Sequence, residues 1–249
     1  VGLETIKEMK IMKFLTFSVA SVLSLSAMAM GPDEYKSYIV RSPDEPMLMM
    51  GLERTESDLE EGEEMRQQIK ENGYYSTYSE NAASLIAFKN KKAVAIAEKD
   101  SDPYFKNLRL SPSEFQMTFP FVGISSVDEE HLLGFAPGGS LDEGHWTGVV
   151  EYFNDDHFGT CKLMVFDMPS WNGQAIYDST YTTYDINVKP TTRSAEGSDE
   201  SGFIYETSWT GKRYEKQLEC ANNKPFDKQI LEDLVRYAKK IDNDLPDTP

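Results

Sequence analysis

Two cysteines, three histidines and three tryptophans are all that 249 residues supply, and 25 Lys+Arg face 42 Asp+Glu. Each scarcity excludes something. Two thiols cannot build a thiolate-rich metal centre. Cys161 and Cys220 also lack the Cys-x-x-Cys spacing and helix-start setting that lower a thiol pKa. A zinc site would need most of the histidines to converge, and no spacing indicates that they do. A net charge of −17 repels a nucleic-acid backbone rather than neutralising it and disfavours adsorption to an anionic membrane. No Gly-x-Ser-x-Gly elbow, EF-hand spacing or internal repeat is present. After Ala29 no apolar run is long enough to span a bilayer, so no integral membrane anchor is expected in the mature form.

What is there begins with an export signal. Residues 7–31 read KEMKIMKFLTFSVASVLSLSAMAMG. Lys7, Lys10 and Lys13 form a positive n-region, and Ala27-Met28-Ala29 presents the small-x-small pattern that signal peptidase accepts. The apolar core, Phe14 to Leu25, is about 12 residues, short of the roughly 20 a spanning helix needs. We therefore read residues 1–29 as a signal peptide and 30–249 as a single α+β domain with a poorly structured N-terminal lead. The mature chain would carry 22 Lys+Arg against 40 Asp+Glu, a formal charge of −18, which suits a cationic ligand or calcium-rich surroundings. The expected location is the periplasm or the extracellular space. There disulfides form and persist, so Cys161 and Cys220 are expected to be bonded and to tie two distant parts of one sheet.

Periodicity divides the mature chain. Helical patterns occupy residues 57–73, with Ser57 and Glu60 as a capping box and Gly73 as a stop, and residues 77–100, with Thr77 and Glu80 repeating the cap. Lys89, Lys91 and Lys92 form a compact positive patch on the second, read as a solvated helix face. From Glu114 the period becomes two. Phe115, Met117, Phe119 and Phe121 point one way, and Pro120 makes the run an edge or bulged strand. Residues 125–146, holding Pro137-Gly138-Gly139, read as a long loop, and 188–202 as an exposed hairpin loop. Five β-rich runs follow the pattern HWTGVVEYF, GTCKLMVFD, QAIYDSTYTTYDINV, GFIYETSW and KRYEKQLECA. A final stripe of Phe226, Ile230, Leu234, Ala238 and Ile241 marks a C-terminal helix that needs the sheet as its partner. The fold class expected is α+β: N-terminal helices, a mainly antiparallel sheet of five or six strands, and that helix packed on it.

The stretch from Gly144 to Asp167 concentrates what chemistry the chain offers. His145, His157, Glu151 and Asp156 are the catalytic candidates, and His131, His145 and His157 the metal-ligating ones. Strand alternation places His145 and Glu151 on one face but about 20 Å apart, so they cannot pair directly. Glu151 with Asp142 or Asp178 would be a carboxylate pair for hydrolysis. Asp155-Asp156 and Asp242-Asn243-Asp244 supply hard oxygens for calcium. None of these sets has a specific spacing, and a stapled hairpin with a polar tip explains the stretch more economically. Trp146, Tyr152, Tyr177, Tyr181, Tyr184, Trp209 and Tyr214 give the β half rigid amphipathic groups favoured at recognition surfaces. The sequence thus points to an exported binding or structural protein with no cofactor, whose partner is a protein or small molecule. A hydrolase with a carboxylate or His/Asp site is the alternative, and oligomeric state is left open.

Overall fold

Residues 23–24, 36–41, 56–88, 108–171, 173–179, 181–245 and 247 are described by the structure, a computed structural model. In chain order the elements are β1 (Leu23–Ser24), β2 (Tyr38–Arg41), α1 (Glu56–Asn72), β3 (Tyr75–Ser76) and α2 (Glu80–Phe88). Then come β4 (Leu132–Asp142), β5 (His145–Asp155), β6 (Gly159–Asp167), β7 (Gly173–Asp178) and β8 (Thr183–Ile186). The chain closes with β9 (Lys189–Ser198), β10 (Gly202–Thr210), β11 (Tyr214–Asn222) and α3 (Lys228–Asp244). The class is α+β. The leader lies outside the described residues apart from Leu23–Ser24, which pairs with Gly173–Gln174. The Lys89–Lys92 patch lies outside them too.

The main sheet has eight strands rather than five or six, in the order β3-β9-β10-β11-β6-β5-β4 with β8 beside β9. It is antiparallel except where β3 runs parallel to β9. A small second sheet sets β7 between β1 and a parallel β2. The extra main-sheet strands come from segments whose composition reads as loop. Residues 189–198 are Ser/Thr/acid-rich yet pair along their length with β10. Residues 132–142 pair with β5, and Gly138-Gly139 form an irregularity in the ladder instead of a turn. Gly139 has φ +68, and a Cβ there would sit 2.4 Å from Thr147 Oγ1, so only glycine fits. Conversely, residues 115–121 are not a strand. Their backbone hydrogen bonds to β5 are to Trp146, which donates to Gln116 O (2.7 Å) and accepts from Thr118 N (3.0 Å). The alternation there marks burial: Phe119 and Phe121 are core residues.

One sheet face carries α3. Ile230, Leu234, Ala238 and Ile241 pack on Phe153, Leu163, Tyr205, Trp209 and Leu218, as the stripe requires. Asp227 caps the helix by accepting from Gln229 N (2.8 Å), and Tyr205 Oη accepts from Asp227 N (2.9 Å). The other face is covered at one end by α2, whose Ala82 and Leu85 meet Ile204 and Ala221. The cap of α2 is Ser79, not Thr77: its Oγ accepts from Ala82 N (3.1 Å) and donates to Glu196 (3.0 Å). At the other end Met168, Ala175 and Tyr177 form a small core between the two sheets.

Between these covers the second face is polar but buried. Glu206 and Glu219 lie directly opposite on β10 and β11, and Lys162 lies opposite Glu219 on β6. The Lys162 ammonium pairs with Glu219 at 2.8 Å. Burial, with Glu219 beside it, pushes the Glu206 carboxyl up. Glu215, further along β11, is 2% exposed, has no hydrogen-bond partner for either oxygen among the described residues, and is pushed by burial up to about 7. Glu151, on the α3 face, also rises to about 7 by burial, against one backbone hydrogen bond that opposes it. These acids hold protons in the native state that the unfolded chain releases near 4.5. The native state therefore binds more protons across this window, and stability is expected to fall as pH rises from 4.5 through about 7, with Glu206 adding to the loss. Denaturation midpoints should be higher at about pH 5 than at about pH 8.5, and Glu206→Gln with Glu215→Gln should flatten the slope. A midpoint that climbs over this interval would defeat the assignment.

Candidate functional site

The β5–β6 hairpin tip is built by its own sequence. Asp155 Oδ1 accepts from His157 N (2.8 Å) and Phe158 N (3.0 Å), closing the turn. Gly159 follows at φ +97, where a Cβ would meet Ala221 O at 2.3 Å. Asp155 is thus spent on backbone, while Asp156 and His157 point away from the ladder and are exposed. The His157 ring lies against Phe158, which stacks on Tyr237 of α3 at 5.6 Å. Its Nε2 is 2.8 Å from Asp233 Oδ2 on the same helix. Asp233 also receives Gln229 Nε2 (3.0 Å) and the guanidinium of Arg236, so the carboxylate orienting His157 is itself fixed.

A second wall faces this tip. The loop before β4 is held by Ile124 N donating to Glu151 Oε2 (2.9 Å) and by Ser125 Oγ donating to Asp244 (2.6 Å). Ser126 Oγ is 3.3 Å from Tyr237 Oη. A turn in which Asp128 O accepts from His131 N (2.9 Å) and Leu132 N (3.1 Å) gathers the next side chains. One ligand atom from each of Asp128, Glu130 and His131 falls within 4.8 Å of the others. The two walls enclose a cavity of about 300 Å³, bordered by His131, His157, Asp128, Asp156, Phe153 and Tyr237 among others. His131 O accepts from Asn154 N (2.8 Å), tying the walls together beneath it.

The sequence candidates divide accordingly. His131 and His157 meet at this cavity. His145 sits on the β4–β5 turn at the opposite end of β5, exposed, with Nδ1 3.2 Å from the Glu143 carbonyl. Across a strand of 11 residues that is about 30 Å at normal rise, so the three histidines do not form one metal triad. Glu151 is 1% exposed and serves as the latch for Ile124. It meets neither Asp142, which stands opposite His145, nor Asp178, which ends β7 in the other sheet. Cys161 and Cys220 form the disulfide, on adjacent strands rather than distant parts of the sheet. Asp242 of the Asp242-Asn243-Asp244 run is bound to Lys189, Lys216, Trp209 and Asn187, which leaves it no role as a calcium ligand. Of the seven aromatic groups, Trp209, Tyr177 and Tyr214 are buried in the core, Trp146 and Tyr152 are half-buried, and Tyr181 and Tyr184 are exposed. Asp128, Glu130, Asp233 and Tyr237 were not legible as site residues. No spacing signal could find Asp233, which lies 76 residues from its histidine.

Comparison with known protein families, with curated proteins and with solved structures finds no match to this chain. The chemistry must be argued from the residues. Two imidazoles and several carboxylates around an aromatic floor offer nitrogen and oxygen donors to a cation. The His157–Asp233 pair also has the geometry of a base and its orienting acid. No helix among the described residues is long and apolar enough to cross a membrane.

Proposed function

We propose that the protein is an exported binding protein and that its ligand is a small cation or a cationic head group held in the His131–His157 cavity. The observation that carries this reading is the convergence of those two histidines with Asp128 and Asp156 on one cavity, from two separate segments. Carboxylates and neutral imidazoles stabilise a positive ligand by charge and by direct donation. Phe153 and Tyr237 add ring faces that favour an organic cation. The net charge of −17 raises cation concentration at the surface. Export rests on the leader pattern in residues 7–31, and the Cys161–Cys220 disulfide suits an oxidising compartment.

Calorimetric titration with zinc, calcium and a quaternary ammonium salt tests the proposal. At least one of these cations should bind saturably, and His131→Ala and Asp128→Asn should each weaken it about tenfold, a loss near 1.4 kcal/mol. His145→Ala should leave it unchanged. The same cation binding equally well to all three variants would refute the site, and no binding by any of them would refute the ligand class. The His157–Asp233 contact supports a second reading, hydrolysis with His157 activating water. Turnover of a generic ester, peptide or glycoside that disappears in both His157→Ala and Asp233→Asn would replace the binding reading.

A further inference from the structure

The other flank of α3 holds a second cavity, of about 410 Å³, between the C-terminal turn of α1, β9 and the first turns of α3. Its apolar part is Ile69 and Leu231; its cations are Lys70, Arg193 and Lys228, one from each of the three elements, and its carboxylates are Glu71 and Glu232. Lys162, Lys189, Lys216, Arg66, Arg213 and Arg236 meet carboxylates, whereas Lys36, Lys212, Lys224, Lys239 and Lys240 are exposed without an ion pair among the described residues. Lys70, Arg193 and Lys228 are exposed and have no ion pair among the described residues. What sets Lys70, Arg193 and Lys228 apart from the other exposed lysines is that they come from three elements and border one hollow. Like charges brought together raise the local potential and repel one another, and an anion in the cavity relieves that repulsion.

We propose that this cavity binds a phosphorylated polyol. The Arg193 guanidinium offers a planar fork that matches two phosphate oxygens, and the two lysines act as point charges beside it. Arg193 approaches from the sheet while Lys70 and Lys228 approach from the two helices, so the phosphate is met from more than one side. The carboxylates at the same cavity, Glu71 and Glu232, oppose a bare polyanion. They are acceptors, and they favour a ligand that carries hydroxyl donors next to its phosphate. Glu71 already accepts from Gln67 Nε2 (2.8 Å), which holds it on the helix side and leaves Glu232 as the freer acceptor. The site lies across α3 from the His131–His157 cavity and shares no lining residue with it.

Titration of the purified protein with glycerol phosphate, inorganic phosphate and glycerol at low ionic strength tests this. Glycerol phosphate should bind, glycerol should not, and inorganic phosphate should bind about tenfold more weakly. Added salt should weaken the interaction, as screening of an exposed ion contact requires. Arg193→Ala and Lys228→Ala should each reduce affinity about tenfold at unchanged melting temperature, and Arg193→Lys should restore part of it. Glu232→Gln should tighten inorganic phosphate and narrow its gap to glycerol phosphate. No saturation at millimolar glycerol phosphate, or binding that is indifferent to the Arg193 and Lys228 changes, overturns the site. Equal affinity for glycerol phosphate and inorganic phosphate overturns the polyol assignment.

Discussion

Replacing Asp242 by alanine is expected to cost about 3–5 kcal/mol of folding stability, the range for removing one partner of a buried ion pair. Asp242 is 3% exposed and sits where α3 ends against the sheet. Its carboxylate accepts from Lys189 Nζ (2.7 and 2.8 Å), Lys216 Nζ (2.8 Å), Trp209 Nε1 (2.8 Å) and Asn187 Nδ2 (2.7 Å). Burial alone would raise this carboxyl, but Lys216, then Lys189 and Asn187, pull it down to about 2. Lys216 is 1% exposed and burial depresses its pKa even with Asp242 beside it. Without the carboxylate, that ammonium keeps the Leu245 carbonyl but loses its buried counter-charge, and the Trp209 indole N–H loses its acceptor, which is what makes the loss large. Asp242→Asn, which keeps an acceptor but no charge, should cost less. Urea midpoints of the three proteins at neutral pH give the comparison, and an alanine variant within about 1 kcal/mol of the parent would show that the lysines find other partners. The same group sets the acid limb of stability. Its depressed pKa contributes stability above 3.8 that is lost as pH falls through about 2, opposite in sign to the buried glutamates.

Asp242 illustrates how far this fold is legible in its sequence. Helix α3 could be placed because five apolar residues recur at helical spacing over an otherwise charged segment, and only a partner surface satisfies such a stripe. Strands β5, β6, β10 and β11 could be placed because aromatic and β-branched residues alternate in them. That Asp242 would be a buried hub rather than a surface calcium ligand was not legible. It follows from Lys189 on β9 and Lys216 on β11 reaching the same point, and strand order is not encoded in any local window. The carboxylates of the second face were hidden for a related reason. Glu206 and Glu219 occupy alternate positions that look solvent-facing in isolation, and they are buried because α2 and the small sheet cover the face.

Where composition and conformation part, the neighbouring strand decides. Thr191, Thr192 and Ser194 sit in β9 because β10 supplies a ladder for their backbone, whatever their polarity. Pro137-Gly138-Gly139 lies in an edge strand, where a bulge costs little and glycine permits the close approach of Thr147. The Phe115–Phe121 alternation reports inward-pointing side chains, and Pro120 has no N–H for a ladder. The candidate site was half legible for the same reason. His157 and Asp156 declare themselves as a polar hairpin tip, whereas His131 comes beside them only through the ladder between β4 and β5, and Asp233 only through the docking of α3.

Reduction of the Cys161–Cys220 disulfide, or replacement of both cysteines by alanine, is expected to destabilise the protein by about 3–5 kcal/mol. The bond closes a loop with a sequence separation of 59, for which the chain-entropy account gives about 4 kcal/mol. That loop contains the whole route from β6 through β7, β8, β9 and β10 to β11. Without the bridge the unfolded chain regains freedom over all of it. The two cysteines are directly opposite on neighbouring strands and both are fully buried, so the native ladder on either side holds their positions whether or not the sulfurs are joined. The expected signature is therefore a lower melting temperature and denaturation midpoint with the native far-UV and near-UV spectra retained below the transition. Ligand affinity at the His131–His157 cavity should be unchanged in the folded state, because neither sulfur reaches it. A double alanine variant as stable as the oxidised parent would sink the entropic argument. A variant that folds normally but loses cation binding would instead make the cysteines part of the site.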